Sequence, residues 1–245
     1  MSAIQNGVSA TPNAVTPVVF FPGLLCDPRL WAAQVEGLGG KAKTWVADFR
    51  RDDSIAGMAS RALAEIPFPT FSLAGLSMGG YVAMEVMRQA PQRVERLALL
   101  DTQARGETPE ARDRRVALMK LGEEEGVGEV SNRLMPLFLH ASRLDDTRLT
   151  GLCRDMAQAV GKAAYLMQQK AIMERADSLE SLREVRCPTL VLCGDHDLLT
   201  PVDRHEEIAE AIPGAKMVIV PRCGHMTTVE VPGAVNRALE DWLRL

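Results

Sequence analysis

A serine in a glycine-rich pentapeptide is the strongest chemical signal in this chain. Ser77 lies at the centre of GLSMG, residues 75–79, which matches the pattern G-x-S-x-G. A run typical of a β-strand, Phe71–Ala74, precedes it, and a helical pattern over residues 78–89 follows it. A serine on such a strand-to-helix turn holds its hydroxyl above the sheet, where it can act as a nucleophile. The alternative, in which Ser77 only caps the following helix, is disfavoured once the two partners described next are counted.

A serine hydroxyl needs a neighbouring base, and the histidines of the chain are the candidates. His225 follows the predicted strand 216–220 at its carboxyl end, and we predict that it is the base. His140 falls in a helical region and His205 lies in a helix beside two glutamates, so a solvated or lid position is expected for both. His196, between two aspartates, is a weaker candidate for the base.

The third member of such a triad is a carboxylate that fixes the tautomer of the histidine and stabilises its positive charge. Asp197 is the predicted acid, because it lies in the loop after the predicted strand 189–193 and shortly before the next helix. Asp101 is a rival at the end of the strand 94–100, but its position favours a helix cap or a loop anchor. This chemistry requires no metal ion and no organic cofactor, and we expect neither.

The elements that must position these residues follow a strand–helix rhythm. Short apolar runs alternate with amphipathic, capped stretches, which predicts a parallel sheet with helices on both faces. Residues 108–182 break this rhythm with helical periodicity and no convincing strand, and Gly122, Gly126 and Gly128 are expected to divide them. An insertion over the carboxyl ends of parallel strands is where a substrate lid would lie. The predicted strands are 18–21, 44–47, 71–75, 94–100, 189–193 and 216–220, and the predicted core helices are 28–38, 54–66, 78–89, 202–212 and 232–243.

Composition narrows the classes of function further. The 245 residues are 47% apolar and 24% charged, with a net charge of −4, which suits a globular enzyme and disfavours a nucleic-acid partner. No apolar stretch reaches the ~18 residues of a membrane helix, and the polar N-terminus does not resemble a signal peptide, so no membrane partner is expected. Five cysteines without a CxxC pair favour a reduced, cytoplasmic setting.

The order Ser77, Asp197, His225, with each residue following a predicted strand, resembles the α/β-hydrolase superfamily. The chain is similar to small bacterial carboxylesterases and enol-lactonases of that superfamily over residues 16–101 and 186–245. The resemblance implies an α/β fold with a doubly wound, mostly parallel sheet and an inserted helical cap. It divides the chain into a flexible N-terminal tail (1–14), a core (15–104 and 186–245) and a cap (105–185).

The same resemblance implies an oxyanion hole made of the backbone N–H groups of Leu24 and Met78. Pro22 stands where many relatives carry histidine, which leaves the backbone donor intact but removes that side chain. Weaker predictions place Leu25, Phe138 and Tyr165 against the substrate. For the two cap residues, Phe138 and Tyr165, ordinary packing between lid helices is an equally good explanation.

The expected activity is hydrolysis of a small carboxylic ester, thioester or lactone through an acyl-serine intermediate. The same triad could serve a C–C bond hydrolase, a lyase or a cofactor-free haloperoxidase, because fold and triad do not determine the bond that is broken. A ligand receptor that has kept the fold is a third possibility, disfavoured because all three triad residues are present. The expected partner is a small acyl compound, and the sequence leaves the oligomeric state open.

Overall fold

The computed structural model describes residues 17–244. The predicted flexible tail, residues 1–14, lies outside the described residues, as do residues 15, 16 and 245.

The described chain is built on a sheet of six parallel strands in the order β2-β1-β3-β4-β5-β6. This topology confirms the predicted α/β class with a parallel sheet. Chain order reverses direction at β1, which lies between β2 and β3, so β1 and β3 form the point where ligand sites of open parallel sheets occur. The strands are β1 (Val18–Phe21), β2 (Thr44–Val46), β3 (Phe71–Leu76), β4 (Val94–Leu100), β5 (Thr189–Gly194) and β6 (Lys216–Val220).

Side chains of the central strands alternate between two apolar cores, one on each face of the sheet. Val18 and Phe20 of β1 pack with Trp31 in one core, whereas Val19 and Phe21 belong to the other. All four β1 residues are fully buried, as expected for a strand that has helices on both sides. The alternation follows from the two-residue period of a strand, and it covers both faces with apolar area that water would otherwise contact.

Helices cover both faces of this sheet, and several begin at the residues that the sequence indicates. The Oδ1 of Asp27 accepts a hydrogen bond from the N–H of Arg29 at 3.0 Å, and the Oγ of Ser54 accepts one from Gly57 at 3.1 Å. These bonds satisfy N–H groups that the first turn leaves without partners. Asp27 starts a 3₁₀ turn (Pro28–Trp31) that continues into α1 (Ala32–Gly37), and the other helices of the first half are α2 (Ile55–Glu65) and α3 (Met78–Gln89).

The chain between β4 and β5 is helical, as predicted. It forms α4 (Pro109–Glu124), α5 (Val127–Phe138), α6 (Thr147–Met173) and α7 (Leu179–Leu182), with a further 3₁₀ turn at Ala141–Arg143. After β5 come α8 (Val202–Ala211), α9 (Thr227–Glu230) and α10 (Pro232–Leu243). No helix within residues 17–244 combines the length and apolar character needed to cross a membrane.

The glycines of the inserted helices behave differently from the prediction. Gly126 separates α4 from α5 with a φ of 89°, but Gly122 lies inside α4 and Gly128 inside α5, so the predicted breaks at these two positions were wrong. A Cβ at Gly122 would lie 2.7 Å from Cε1 of Tyr165, so this glycine permits close packing of the ring. A break that was not predicted occurs at Gly161, which interrupts α6 with a φ of 77°.

Candidate active site

Ser77 lies on a sharp turn between β3 and α3. Its φ of 55° and ψ of −116° are a conformation that side chains rarely adopt, so surrounding contacts must impose it. Its N–H donates to the carbonyl of Leu100 at 3.0 Å, which ties the turn to the end of β4. A Cβ at Gly75 would overlap the carbonyl oxygen of Gly79, and one at Gly79 would overlap that of Phe21. Both flanking glycines are therefore required by the close approach of strand and helix.

His225 lies in the loop between β6 and α9, next to Ser77. Its Nε2 is 2.9 Å from the Oγ of Ser77. The side chain is only 3% exposed, so little water competes for this contact. The backbone N–H groups of His225 and Met226 both donate to the carbonyl of Phe138, at 3.0 and 3.1 Å. The end of α5 therefore holds the backbone on which the histidine ring stands.

Asp197 completes a continuous chain of polar contacts. Its Oδ2 is 2.8 Å from the Nδ1 of His225, and its Oδ1 accepts hydrogen bonds from the N–H groups of Leu199 and Thr200 at 2.9 Å each. The hydroxyl of Thr200 donates to Oδ2 at 2.7 Å. Burial raises the pKa of Asp197, but the charge of His225 and these hydrogen bonds outweigh it, so the pKa is lowered on balance. A carboxylate with a lowered pKa is ionised at neutral pH.

Asp101, the rival acid, lies near the triad but bonds elsewhere. Its Oδ2 accepts hydrogen bonds from the hydroxyl and N–H of Thr227 at 2.5 and 3.2 Å, and its Oδ1 accepts one from the N–H of Gly194 at 3.3 Å. Burial and the neighbouring charge of Asp197 raise the pKa of Asp101 well above its usual value. The geometry is that of a loop anchor, which joins the ends of β4 and β5 to α9.

The predicted oxyanion donors lie directly after Ser77 and on the loop that follows β1. The N–H of Met78 is at the amino end of α3, and Leu24 lines the cavity in front of Ser77. Neither N–H donates to an acceptor within residues 17–244, so both are free for a ligand oxygen. The next amide along the chain, that of Leu25, donates instead to Oε1 of the buried Gln168 at 3.1 Å. Gln168 thereby positions the loop that carries Leu24.

A cavity of about 190 Å³ opens in front of Ser77 and His225. Phe138 lines this cavity, and its ring is stacked near that of His225 with centroids 6.3 Å apart. Leu25 and Tyr165 do not line it, because both side chains are buried in the packing around it. The apolar part of the lining is formed by Leu24, Cys26, Leu76, Ala111, Leu118, Leu134, Leu137, Phe138, Ile172, Leu199 and Met226.

The match to known families agrees with this geometry. Residues 18–238, nearly the whole described chain, match the alpha/beta hydrolase family. The chain belongs to this family. It is 26% identical to a proposed carbamate hydrolase, RutD, of Rhizobium rhizogenes over 95% of this chain and 94% of that one. It is 25% identical to the pimeloyl-[acyl-carrier protein] methyl ester esterase of Nitrosomonas europaea, over 88% of this chain and 90% of that one.

Solved structures of hydrolases show the same fold. A thermophilic esterase from Thermogutta terrifontis superimposes with a TM-score of 0.85 at 28% identity, over 94% of this chain and 89% of that one. The enol-lactonase of Burkholderia xenovorans also gives a TM-score of 0.85, at 24% identity, over 94% of this chain and 92% of that one. The predicted α/β-hydrolase fold is therefore confirmed, and the protein is a hydrolase of this family.

Several residues that shape the hydrolase site were not expected from the sequence. Thr200 fixes the carboxylate of Asp197, Gln168 fixes the loop of Leu24, and Glu230 fixes the loop of His225. The Oε1 of Glu230 accepts a hydrogen bond from the backbone N–H of Gly224 at 2.9 Å, and its Oε2 accepts one from the backbone N–H of His140 at 2.9 Å. These polar residues lie on separate segments, and their importance is visible only in the structure, from their burial and their hydrogen bonds.

The remaining histidines lie outside the triad, and one expectation for them was wrong. His140 and His196 are in edge-to-face contact, with ring centroids 4.7 Å apart. His205 was expected at a solvated or lid position, but it is fully buried in the core. Its Nε2 accepts a hydrogen bond from the N–H of Thr102 at 2.9 Å, and its Nδ1 is 3.3 Å from the carbonyl of Pro201. The face of α8 that carries His205 turns towards the sheet. The sequence did not indicate this burial, because the two residues after His205 are glutamates.

His205 should make the hydrolase less stable in acid. Burial lowers its pKa to about 4, whereas an unfolded histidine titrates near 6.5. Between these values the unfolded chain binds a proton that the folded chain does not. The free energy of unfolding is therefore expected to lose about 2 to 3 kcal/mol from this group as the pH falls from 7.5 to 4.5. Urea denaturation of the protein and of His205→Gln at both pH values measures this contribution as a difference.

The glutamine variant should show a correspondingly flatter pH dependence, because glutamine retains a donor and an acceptor but does not titrate. His196→Gln is the matched control. The side chain of His196 is 58% exposed, and the variant without it should still lose the stability that the buried His205 costs in acid. Identical pH dependence in the unmodified protein and in His205→Gln would contradict the assignment.

Proposed function

We propose that this hydrolase cleaves a small carboxylic ester, thioester or lactone through a covalent acyl-serine intermediate. The observation that carries the proposal is the continuous contact from Ser77 Oγ through His225 to Asp197, at 2.9 and 2.8 Å, beside a cavity. In such a chain the histidine accepts the proton of the serine, and the carboxylate stabilises the resulting positive charge.

The proposed reaction has two halves. The Oγ of Ser77 attacks the carbonyl carbon while its proton moves to Nε2 of His225. The oxyanion is held by the N–H groups of Leu24 and Met78. His225 then gives the proton to the departing alcohol, thiol or ring oxygen, and the acyl group stays on the serine. A water molecule, deprotonated by His225, attacks this acyl-enzyme. Collapse of the second oxyanion releases the acid and returns the proton to Ser77.

The surroundings of Ser77 favour a small substrate with an apolar part. The cavity in front of Ser77 is small, with a volume of about 190 Å³. Apolar side chains make up much of the lining, so a short acyl chain or a small ring would bury apolar area there. The esterases among the relatives, at 25% and 28% identity, support an ester or a closely related acyl bond.

Active-site labelling and product analysis together test the proposal. A fluorophosphonate should form one adduct per chain, on Ser77, found by peptide mass spectrometry. Among p-nitrophenyl esters, the acetate and butyrate should have kcat/KM values at least about tenfold above that of the laurate, because the long chain exceeds the cavity. Activity only on β-diketones or other C–C substrates would replace the proposed reaction by that alternative. Absence of the adduct would favour a ligand receptor.

A further inference from the structure

One part of the cavity lining is polar, and the proposed reaction uses none of it. The carboxylate, guanidinium and amide groups of this part come from the segment after β4, from α4 and from α6. They are the side chains of Gln103, Glu107, Arg114, Arg115 and Gln169, which we call the polar wall. Such groups are costly to enclose unless they are paired, so their presence beside the proposed nucleophile requires an explanation.

Arg115 is the arginine of the polar wall that side-chain hydrogen bonds hold in place. Its Nε donates to Oε2 of Glu107 at 2.7 Å, and its Nη1 donates to Oε1 of Gln169 at 2.9 Å. The side chain is 21% exposed, so most of it is enclosed. A guanidinium group carries five N–H donors, and these two bonds leave three of them without a partner in the described part of the chain. Arg115 is thus held in place while still able to donate.

The charges around the polar wall do not balance. Glu107 also receives a hydrogen bond from Nη1 of Arg175 at 2.5 Å, and the Arg175 side chain is only 3% exposed. The guanidinium of Arg175 also lies over the ring of Tyr81, another residue of the cavity, at 4.5 Å from its centroid. Arg114 lines the cavity without forming an ion pair in residues 17–244. Two guanidinium groups therefore contact the one carboxylate of the polar wall, and a third lines the same cavity.

Glu107 is itself firmly ionised. Burial raises its pKa, but the charges of Arg115 and Arg175 outweigh burial and lower the pKa on balance. The polar wall consequently keeps a net positive charge at neutral pH. In an enclosed site a guanidinium group with free N–H donors attracts a carboxylate strongly, because charge-assisted bonds to a planar carboxylate can form in pairs.

We infer that the substrate carries a free carboxylate in addition to the bond that is cleaved, and that Arg115 binds this carboxylate. The inference rests on the proposed function, since it assigns the substrate class of the same cavity. Arg115 is then a specificity-determining residue. Arg114 adds positive charge at the cavity and forms no ion pair within the described residues. A half-ester of a short dicarboxylic acid is the simplest compound of this class.

A binding experiment tests the inference without turnover. The Ser77→Ala variant is titrated with monomethyl glutarate and with its neutral counterpart methyl valerate, by isothermal titration calorimetry. We expect the Kd of the half-ester to be about 10- to 100-fold lower, the range expected for one charge-assisted pair. Adding Arg115→Gln to this variant should remove the difference. Equal affinities for the two esters in Ser77→Ala, or no binding of either ester, would overturn the inference.

Hydrolysis of a charged ester and its neutral counterpart distinguishes a role of Arg115 in substrate specificity from a purely structural role. With Ser77 intact, Arg115→Gln should lower kcat/KM for mono-p-nitrophenyl glutarate by about 10- to 100-fold and that for p-nitrophenyl valerate by less than about threefold. Arg115→Lys should recover part of the loss, because lysine keeps the charge but not the fork of donors. Equal losses on both esters would mean that Arg115 only supports the packing of α4 against α6, and would refute the inference.

Arg133→Gln is the matched control for this series. Arg133 is an exposed arginine of α5, a neighbouring helix of the insertion, and it does not line the cavity. Its replacement should leave kcat/KM for both esters within about twofold of the value for the unmodified protein, which is the size of effect expected for a remote surface charge. A failed fluorophosphonate reaction would argue against the proposed function, whereas the calorimetric result depends only on the cavity. The two failures are therefore distinguishable.

Discussion

The Ser77→Ala variant is expected to lose at least about 10⁴-fold in kcat on any ester that the protein hydrolyses. The reason is that alanine offers no oxygen to accept the acyl group, so water must attack directly. The same variant should show no fluorophosphonate adduct. The initial rate with p-nitrophenyl butyrate and the intact mass after labelling are the two measurements.

The fold should survive this change. The bonds that tie residue 77 to its surroundings are made by its backbone, whose N–H donates to Leu100 and whose carbonyl accepts from the hydroxyl of Thr102 at 2.8 Å. Ser72→Ala is the matched control, since Ser72 is a buried serine of β3, the strand that leads into Ser77, and its Oγ has no hydrogen-bond partner within residues 17–244. It should keep full activity and labelling. The assignment of Ser77 as nucleophile is falsified if Ser77→Ala, purified free of other esterases, retains more than a tenth of the activity.

The second large effect is expected for Asp197→Asn, with a fall of about 10⁴-fold in kcat at neutral pH. An asparagine that directs its NH₂ group at Nδ1 of His225 favours the tautomer with the proton on Nε2. That nitrogen then has no lone pair to accept the proton of Ser77 Oγ, 2.9 Å away. The rate of p-nitrophenyl butyrate hydrolysis at pH 7.5 measures the loss, and circular dichroism checks that the variant is folded.

Two neighbouring carboxylates serve as controls for Asp197. Asp195 bonds to the exposed His196 at 2.7 Å and to the N–H of Cys223 at 3.1 Å, so Asp195→Asn should stay within about tenfold of normal activity. Asp101 contacts Thr227 and Gly194 rather than His225, so Asp101→Asn should act mainly through stability. A larger loss of kcat in Asp101→Asn than in Asp197→Asn, in folded protein, would reverse the assignment of the acid.

The sequence predicted the bounds of several strands and helices correctly, because these bounds depend on residues that are close together in the chain. The strands β1, β4 and β6 and the helices α3 and α10 begin and end at the predicted residues, because their apolar runs are bounded by Gly or Pro or by polar turns. The serine turn was predictable for the same reason. It depends on glycines at fixed spacing from Ser77, which the close approach of β3, α3 and β1 requires.

Tertiary structure was needed for residues whose importance depends on partners far along the chain. Gln168 acts on a loop 143 residues earlier, and His205 accepts a bond from Thr102, 103 residues away. Neither residue differs in sequence from an ordinary polar position of a helix. The polar wall is a similar case, because Arg115 and Gln169 are 54 residues apart and meet only when α4 packs beside α6.

The sequence by itself therefore determined the family, the parallel sheet and the three residues proposed for catalysis. Each of the three follows a strand directly, and parallel strands place their carboxyl ends at one edge. Only the tertiary structure decided which groups line the cavity, that Leu25 and Tyr165 are not among them, and that guanidinium groups there outnumber carboxylates. The physical reason is that a cavity is formed by the packing of helices from distant segments, and the helical period alone leaves their mutual orientation undetermined.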